Sequence, residues 1–211
     1  MIGKHDPVAL GFSVHTGWAA MTTVSGTATS PVVLDRCRLE MMRGSDPEWP
    51  RFVYHAAREL RLEDAERFVA RLAELSRTIA KAALEAAVEP LRENGYEVVA
   101  SSIITSDRPL TASLEGILKS HSLVHSAEGA LFRGAIRSAS GAIGIAAIDV
   151  RSGDLNARAA HALGIGTGRL EDHLTGIGRA AGRPWGKDQR QSYLAAVVAL
   201  LAHRPGSGMP G

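Results

Sequence analysis

A chain of 211 residues has room for one domain of generous size with its own core. Apolar residues make up 45% but aromatics only 5%, so that core is expected to be aliphatic and alanine-rich. Twenty-four basic against 22 acidic residues leave a net charge of +2, which excludes binding to nucleic acid by bulk charge alone. The single cysteine, Cys37, cannot close an internal disulfide, and this points to a reducing compartment. No apolar run approaches the ~18 residues that a membrane span needs. The opening MIGKHDPVAL lacks the apolar centre of a secretory signal. The expectation is a cytoplasmic chain with no membrane partner.

In chain order, residues 7–24 read as two strands joined at His15-Thr16-Gly17, and residues 31–42 as a third, half-exposed strand. Three strands with short links imply an antiparallel meander. Residues 43–50, rich in proline, glycine and polar side chains, read as a loop, and residues 51–60 as a short helix. A long helical pattern spans 63–94, with Leu72, Leu75, Ile79, Ala82, Ala83 and Ala86 as the expected buried stripe. Glu63, Asp64 and Glu66 suit the positive end of its dipole, Asn94-Gly95 suits its end, and Pro90 is expected to kink or stop its last turn. A strand, YEVVASSIIT, follows at once.

Residues 120–137, SHSLVHSAEGALFRGAIR, form the most informative stretch. At 100° per residue, His121, His125 and Glu128 fall on one face of a helix, beside an apolar row of Val124, Ala127, Leu131 and Ala135. Gly129 and Gly134 cost about 1 kcal/mol each against alanine, which suggests a close neighbouring backbone at those turns. Residues 144–150 read as a fifth strand, 154–163 and 169–181 as short helices about GIGTG, and 189–203 as a final apolar helix with Asp188 as its N-cap. Residues 206–211 read as a disordered tail, leaving one domain over 1–205.

Three antiparallel strands, helix, strand, helix, strand and helices is the succession of the ribonuclease H-like fold, a mixed five-stranded α/β sheet with helices on both faces. Within that fold the chain resembles Holliday-junction resolvases of the RuvC type. The resemblance rests on ALGFSVHTGWAAM, SLVHSAEGALFRGAIRSA, IGIAAIDVR and WGKDQRQSYLAAVVALLAH. It implies a nucleic-acid-associated protein, a homodimer, and two divalent metals held by about four carboxylates that stabilise the attacking and leaving oxygens together. The matching positions depart from that pattern. Ser13 stands where the opening-strand aspartate is expected, Ser101-Ser102-Ile103 where a glutamate is expected, and Ser192 near the closing-helix acid, with Asp188 one turn earlier.

Two readings of the chemistry follow. In one, the nuclease site is degenerate or rebuilt around Ser13, His125, Glu128 and Asp188, and the domain binds structured DNA or RNA through Arg133, Arg137, Lys187 and Arg190. In the other, His121, His125 and Glu128 hold a divalent metal as a phosphoester hydrolase, because imidazole and carboxylate suit such ions. A non-catalytic homodimer is a third reading. No G-x-S-x-G elbow supports a serine nucleophile, and GIGTG follows a helix and lacks the G-K-[ST] ending of a phosphate loop.

Overall fold

The computed structural model describes residues 7–42 and 49–203. Most of the loop expected at 43–50, and the whole tail at 206–211, lie outside the described residues. Strands β1 (Pro7–His15), β2 (Trp18–Thr27) and β3 (Ser30–Glu40) form the antiparallel meander. Strand β4 (Glu97–Thr105) pairs parallel with β1, and β5 (Ala146–Arg151) parallel with β4, giving the order β3-β2-β1-β4-β5. The mixed five-stranded sheet read from the sequence is therefore present.

Alternation along β1 divides the molecule. Leu10 and Phe12 point into a layer made by α2 (Leu62–Glu93) and α4 (His121–Ala142). Ala9, Gly11 and Ser13 point into the opposite layer, occupied by α7 (Lys187–Ala202). Two short helices, α1 (Val53–Ala57) and α3 (Leu114–Lys119), extend the first layer. Helices α5 (Leu155–Leu163) and α6 (Leu170–Ala181) cover the outside of α7. Residues 192 to 200 of α7 are all buried, because the helix has sheet on one side and helices on the other.

The crossing of α7 over β1 depends on Gly11. A Cβ there would lie 1.9 Å from the Ser192 carbonyl oxygen and 2.3 Å from the Ala196 nitrogen. Helix and strand are in backbone contact, and no side chain fits between them. The close approach expected at Gly129 and Gly134 is not made. A Cβ at Gly134 meets nothing within 4 Å, and one at Gly129 meets only the Arg133 side chain.

Two further expectations are corrected. The buried row of α2 is Leu72, Ser76, Ala80, Leu84 and Val88, while Leu75, Ile79 and Ala83 are half-buried and Ala82 and Ala86 exposed. Alanine is too small to mark a face by itself, and the buried Ser76 escapes an apolar count because its hydroxyl is satisfied by Met42 Sδ at 3.5 Å. Pro90 does not stop α2, which runs on to Glu93. The carbonyl deprived of its donor belongs to Ala86, which is exposed, so the lost bond leaves no buried acceptor unpaired. Among the described residues, no helix is long and apolar enough to cross a membrane.

Candidate functional site

Two polar clusters stand apart from the apolar layers. The first forms where β1 ends against the start of α7. Thr16-Gly17 turns the chain between β1 and β2, with Gly17 at φ +83, and so pairs His15 with Trp18. Their rings stack at 4.2 Å with planes 11° apart, and the Arg38 guanidinium lies 4.0 Å from the Trp18 ring centroid. His15 Nε2 lies 2.8 Å from Asp188 Oδ1, and Ser13 donates to Gln191 Oε1 at 3.4 Å. Deeper, Thr22 and Ser192 share a 2.7 Å hydroxyl bond. Ser102, the register partner of Gly11, keeps a buried hydroxyl with no partner among the described residues.

Asp188 is not the cap expected from the sequence. Gly186 occupies the N-cap, its amide bonded by Gln189 Oε1 at 3.0 Å, and Asp188 lies inside the first turn with its carboxylate on His15. The reason is tertiary: the imidazole at the end of β1 takes the carboxylate that would otherwise fold back onto the helix amides. An acid in the first turn still suits the helix dipole.

Beside that turn, α6, residues 182–186 and α7 enclose an open groove of about 500 Å³. Arg179, Arg183 and Arg190 line it, and Trp185 forms part of its wall. The Trp185 indole donates to the Leu174 carbonyl at 2.9 Å and sits so close to Gly178 that a Cβ there would be 2.3 Å away. Arg36 fixes the end of α6 by donating to the carbonyls of Ala181, Gly182 and Pro184 at 2.6, 2.9 and 2.6 Å. Arg190 is paired with Glu171.

The second cluster lies in the other layer, where α1 meets the N-terminal end of α4. His121 Nε2 and His125 Nε2 are 3.1 Å apart, one turn from each other on α4. His55 of α1 joins them, its ring centroid 4.8 Å from that of His125 and 5.9 Å from that of His121. One ring nitrogen of each histidine lies within 4.8 Å of those of the other two.

Glu128 does not turn toward this group with a free carboxylate. It is 2% exposed, and its oxygens accept the amides of Val53, Tyr54 and His55 at 3.1, 2.8 and 3.2 Å, the first three of α1. The same carboxylate takes His55 Nδ1 at 3.3 Å. Glu128 thus caps α1 from a distant helix and orients the His55 ring. Burial raises its pKa, and the bonds from His55 and Tyr54 offset part of that rise.

The residues singled out in the sequence therefore fall into separate places. Ser13 and Asp188 meet at the end of β1, whereas His121, His125 and Glu128 meet beneath α1. Lys187 and Arg190 belong to the α7 layer. Arg133 and Arg137 lie on α4 in the opposite layer, where Arg137 pairs with Asp149 and burial lowers the Arg133 pKa. Sequence reasoning missed His55, Trp18, Arg179, Arg183 and Trp185. Trp18 carried a local signal, the tight turn that sets it opposite His15, and Arg179, Arg183 and Trp185 lie close together in the sequence; His55 alone is joined to its partners by a chain reversal that no spacing reveals.

No family model matches the chain, and no curated protein matches it. Solved structures do. One titled "T. thermophilus RuvC in complex with Holliday junction substrate" superposes with a TM-score of 0.54 at 13% identity, covering 94% of this chain and 96% of that one. A second, "Thermus thermophilus RuvC structure", gives 0.52 at 13% identity over 95% and 97%. At that identity the likeness speaks for architecture alone: the chain has the RuvC-like form of the ribonuclease H-like fold.

Proposed function

We propose that this chain is a nucleic-acid-associated, RuvC-like domain that binds structured DNA and does not cut it by the two-metal route. The observation that carries the reading is the groove beside the first turn of α7, where Arg179, Arg183 and Arg190 surround Trp185. Guanidinium groups neutralise phosphates, and an aromatic wall accepts an unstacked base. The His15–Trp18 stack with Arg38 adds a second aromatic and basic surface on the same side of the sheet. A neighbour of the same fold is titled as a complex with a Holliday junction, which favours branched DNA as the partner.

The donors at the end of β1 do not fit a pair of hard divalent cations. Ser13, Ser102 and Ser192 offer neutral hydroxyls and Gln191 a neutral amide, and the carboxylates nearby are engaged, Asp188 by His15 and Glu40 by Arg38. Hard cations need several charged oxygens. No step through two metals is derived for this chain.

The test is a gel shift with a four-way junction, a duplex and a single strand, from about 50 to about 200 mM salt. Junction binding should weaken with a log–log slope of about 3 in magnitude if Arg179, Arg183 and Lys187 each neutralise one phosphate, Arg190 being held by Glu171. Arg183→Ala should reduce that slope by about one, and Arg190→Ala by less. Absence of binding at low salt would remove the proposal, and junction cleavage on adding Mg²⁺ would remove its non-nuclease half.

A further inference from the structure

The geometry points to a zinc-type transition-metal site made by His55, His121 and His125, with Glu128 as its outer support and a fourth coordination position open to solvent. The inference does not rest on DNA binding: the cluster lies on the α4 side of the sheet, away from the groove at α7.

Four features argue for it. The first is spacing: His121 and His125 at i, i+4 bring two Nε2 atoms to 3.1 Å. Four-coordinate zinc with Zn–N bonds of about 2.0–2.1 Å requires ligand nitrogens about 3.3 Å apart. The second is the third ligand, which comes from a different segment of the chain and puts the three nitrogens within 4.8 Å of one another, near enough for the rings to close onto one ion.

The third feature is orientation. The three rings stand at 89°, 85° and 65° to one another, so they meet edge-on rather than stacking flat, as ligands converging on one point do. The fourth is support. His55 Nδ1 lies 3.3 Å from buried Glu128, and donating its hydrogen bond there leaves Nε2 with the free lone pair. A carboxylate behind a histidine fixes the tautomer and the ring direction needed for ligation. The same Glu128 that caps α1 thus holds the His55 ring from below, while His121 and His125 remain exposed.

Three neutral imidazoles and no thiolate select a borderline ion such as Zn²⁺ over Mg²⁺ or Ca²⁺. Exposure of two of the three ligands leaves the fourth position to water, the arrangement that lets zinc act on a small ligand instead of only bracing a fold. Ligation also ties α1 to α4. Arg51, just ahead of α1, already holds the Thr16 carbonyl at 3.1 Å, so the metal would reinforce the packing of this segment beside the β1–β2 turn.

The experiment uses the full-length chain without a histidine tag, stripped of metal by chelator and titrated with Co²⁺ followed by visible absorbance. The expected result is one equivalent bound, with the intense d–d bands of a four-coordinate ion, displaced by Zn²⁺. Since His121 and His125 are exposed and His55 is half-exposed, His55→Ala and His125→Ala should fold normally, and each should weaken binding at least about hundred-fold. Two results would overturn the site. One is no binding at about 100 μM Co²⁺ or Zn²⁺. The other is unchanged affinity in His55→Ala, which would reduce the cluster to a surface pair on α4.

Discussion

The two faces of the sheet are built by different means. Under α7 the chain packs backbone against backbone at Gly11, which admits the helix, and the buried polar groups facing it are the small hydroxyls of Thr22, Ser102 and Ser192, with the Tyr193 hydroxyl held by His173 on the outer side. Under α2 and α4 it packs through large side chains, with Phe12, Met21, Leu84, Phe132 and Ile136 filling the space. That layer also holds small hydroxyls, Ser76 and Ser140, and in addition buries a carboxylate, Glu128, that spans two helices. A face closed by backbone contact leaves no volume for long ligating side chains, so its functional groups are pushed to the rim, at His15, Asp188 and the arginine groove. A face closed by side chains can bury a glutamate and support histidines above it. The difference accounts for a basic aromatic surface on one side and a metal-type cluster on the other.

The largest expected effect tests the close-packed face. Gly11→Ala should destabilise by about 3 kcal/mol or more in denaturant unfolding, because the new methyl meets helix backbone that cannot rotate away. Gly134→Ala, on the other face, should instead stabilise by about 0.5–1 kcal/mol, since its Cβ enters open space within a helix. If both changes cost the same, the distinction between the faces fails.

Next in size is Glu128→Ala. It leaves the amides that begin α1 unpaired and should cost about 3 kcal/mol, with faster amide exchange confined to residues 53–57 at the milder end of denaturation. Arg36→Ala removes three bonds to the end of α6 at a half-buried position. An expected loss of about 1 kcal/mol should appear as early proteolysis in 181–186 rather than as global unfolding.

The smallest effect concerns Cys37, whose thiol is pushed from 9.0 up to about 11, first by burial and then by the charge of Asp35. A raised pKa means the folded state holds the proton more tightly. Its contribution to stability is therefore complete below pH 9.0 and is lost as pH rises through about 11. At pH 8 the thiolate fraction is about hundred-fold lower than in the unfolded chain, and alkylation by iodoacetamide should slow accordingly. Alkylation at the unfolded rate would show that β3 opens freely at that position.

Much of the architecture was legible in the amino-acid order. Alternation in residues 7–24, the Thr16-Gly17 turn and the Asn94-Gly95 stop place the strands and the long helix within a few residues of where they lie. Local order also brought His121, His125 and Glu128 to one end of one helix, because a helical repeat is set by backbone geometry alone. Those signals fail wherever a partner arrives from elsewhere. Glu128 reads as an exposed ligand until α1 is laid across it, and Asp188 reads as a cap until His15 takes its carboxylate. Gly134 reads as the tight crossing, although Gly11 is the one that α7 covers.

What the sequence determined by itself is the succession of elements, since strand and helix periods, turn residues and dipole-matched ends act over a few neighbouring positions. What the tertiary structure decided is which of those elements touch. Layering brought His55 to the α4 histidines and Arg36 to the end of α6, and turned Asp188 onto His15. Contacts of that kind follow from the burial of apolar surface by the whole chain, which no short stretch encodes.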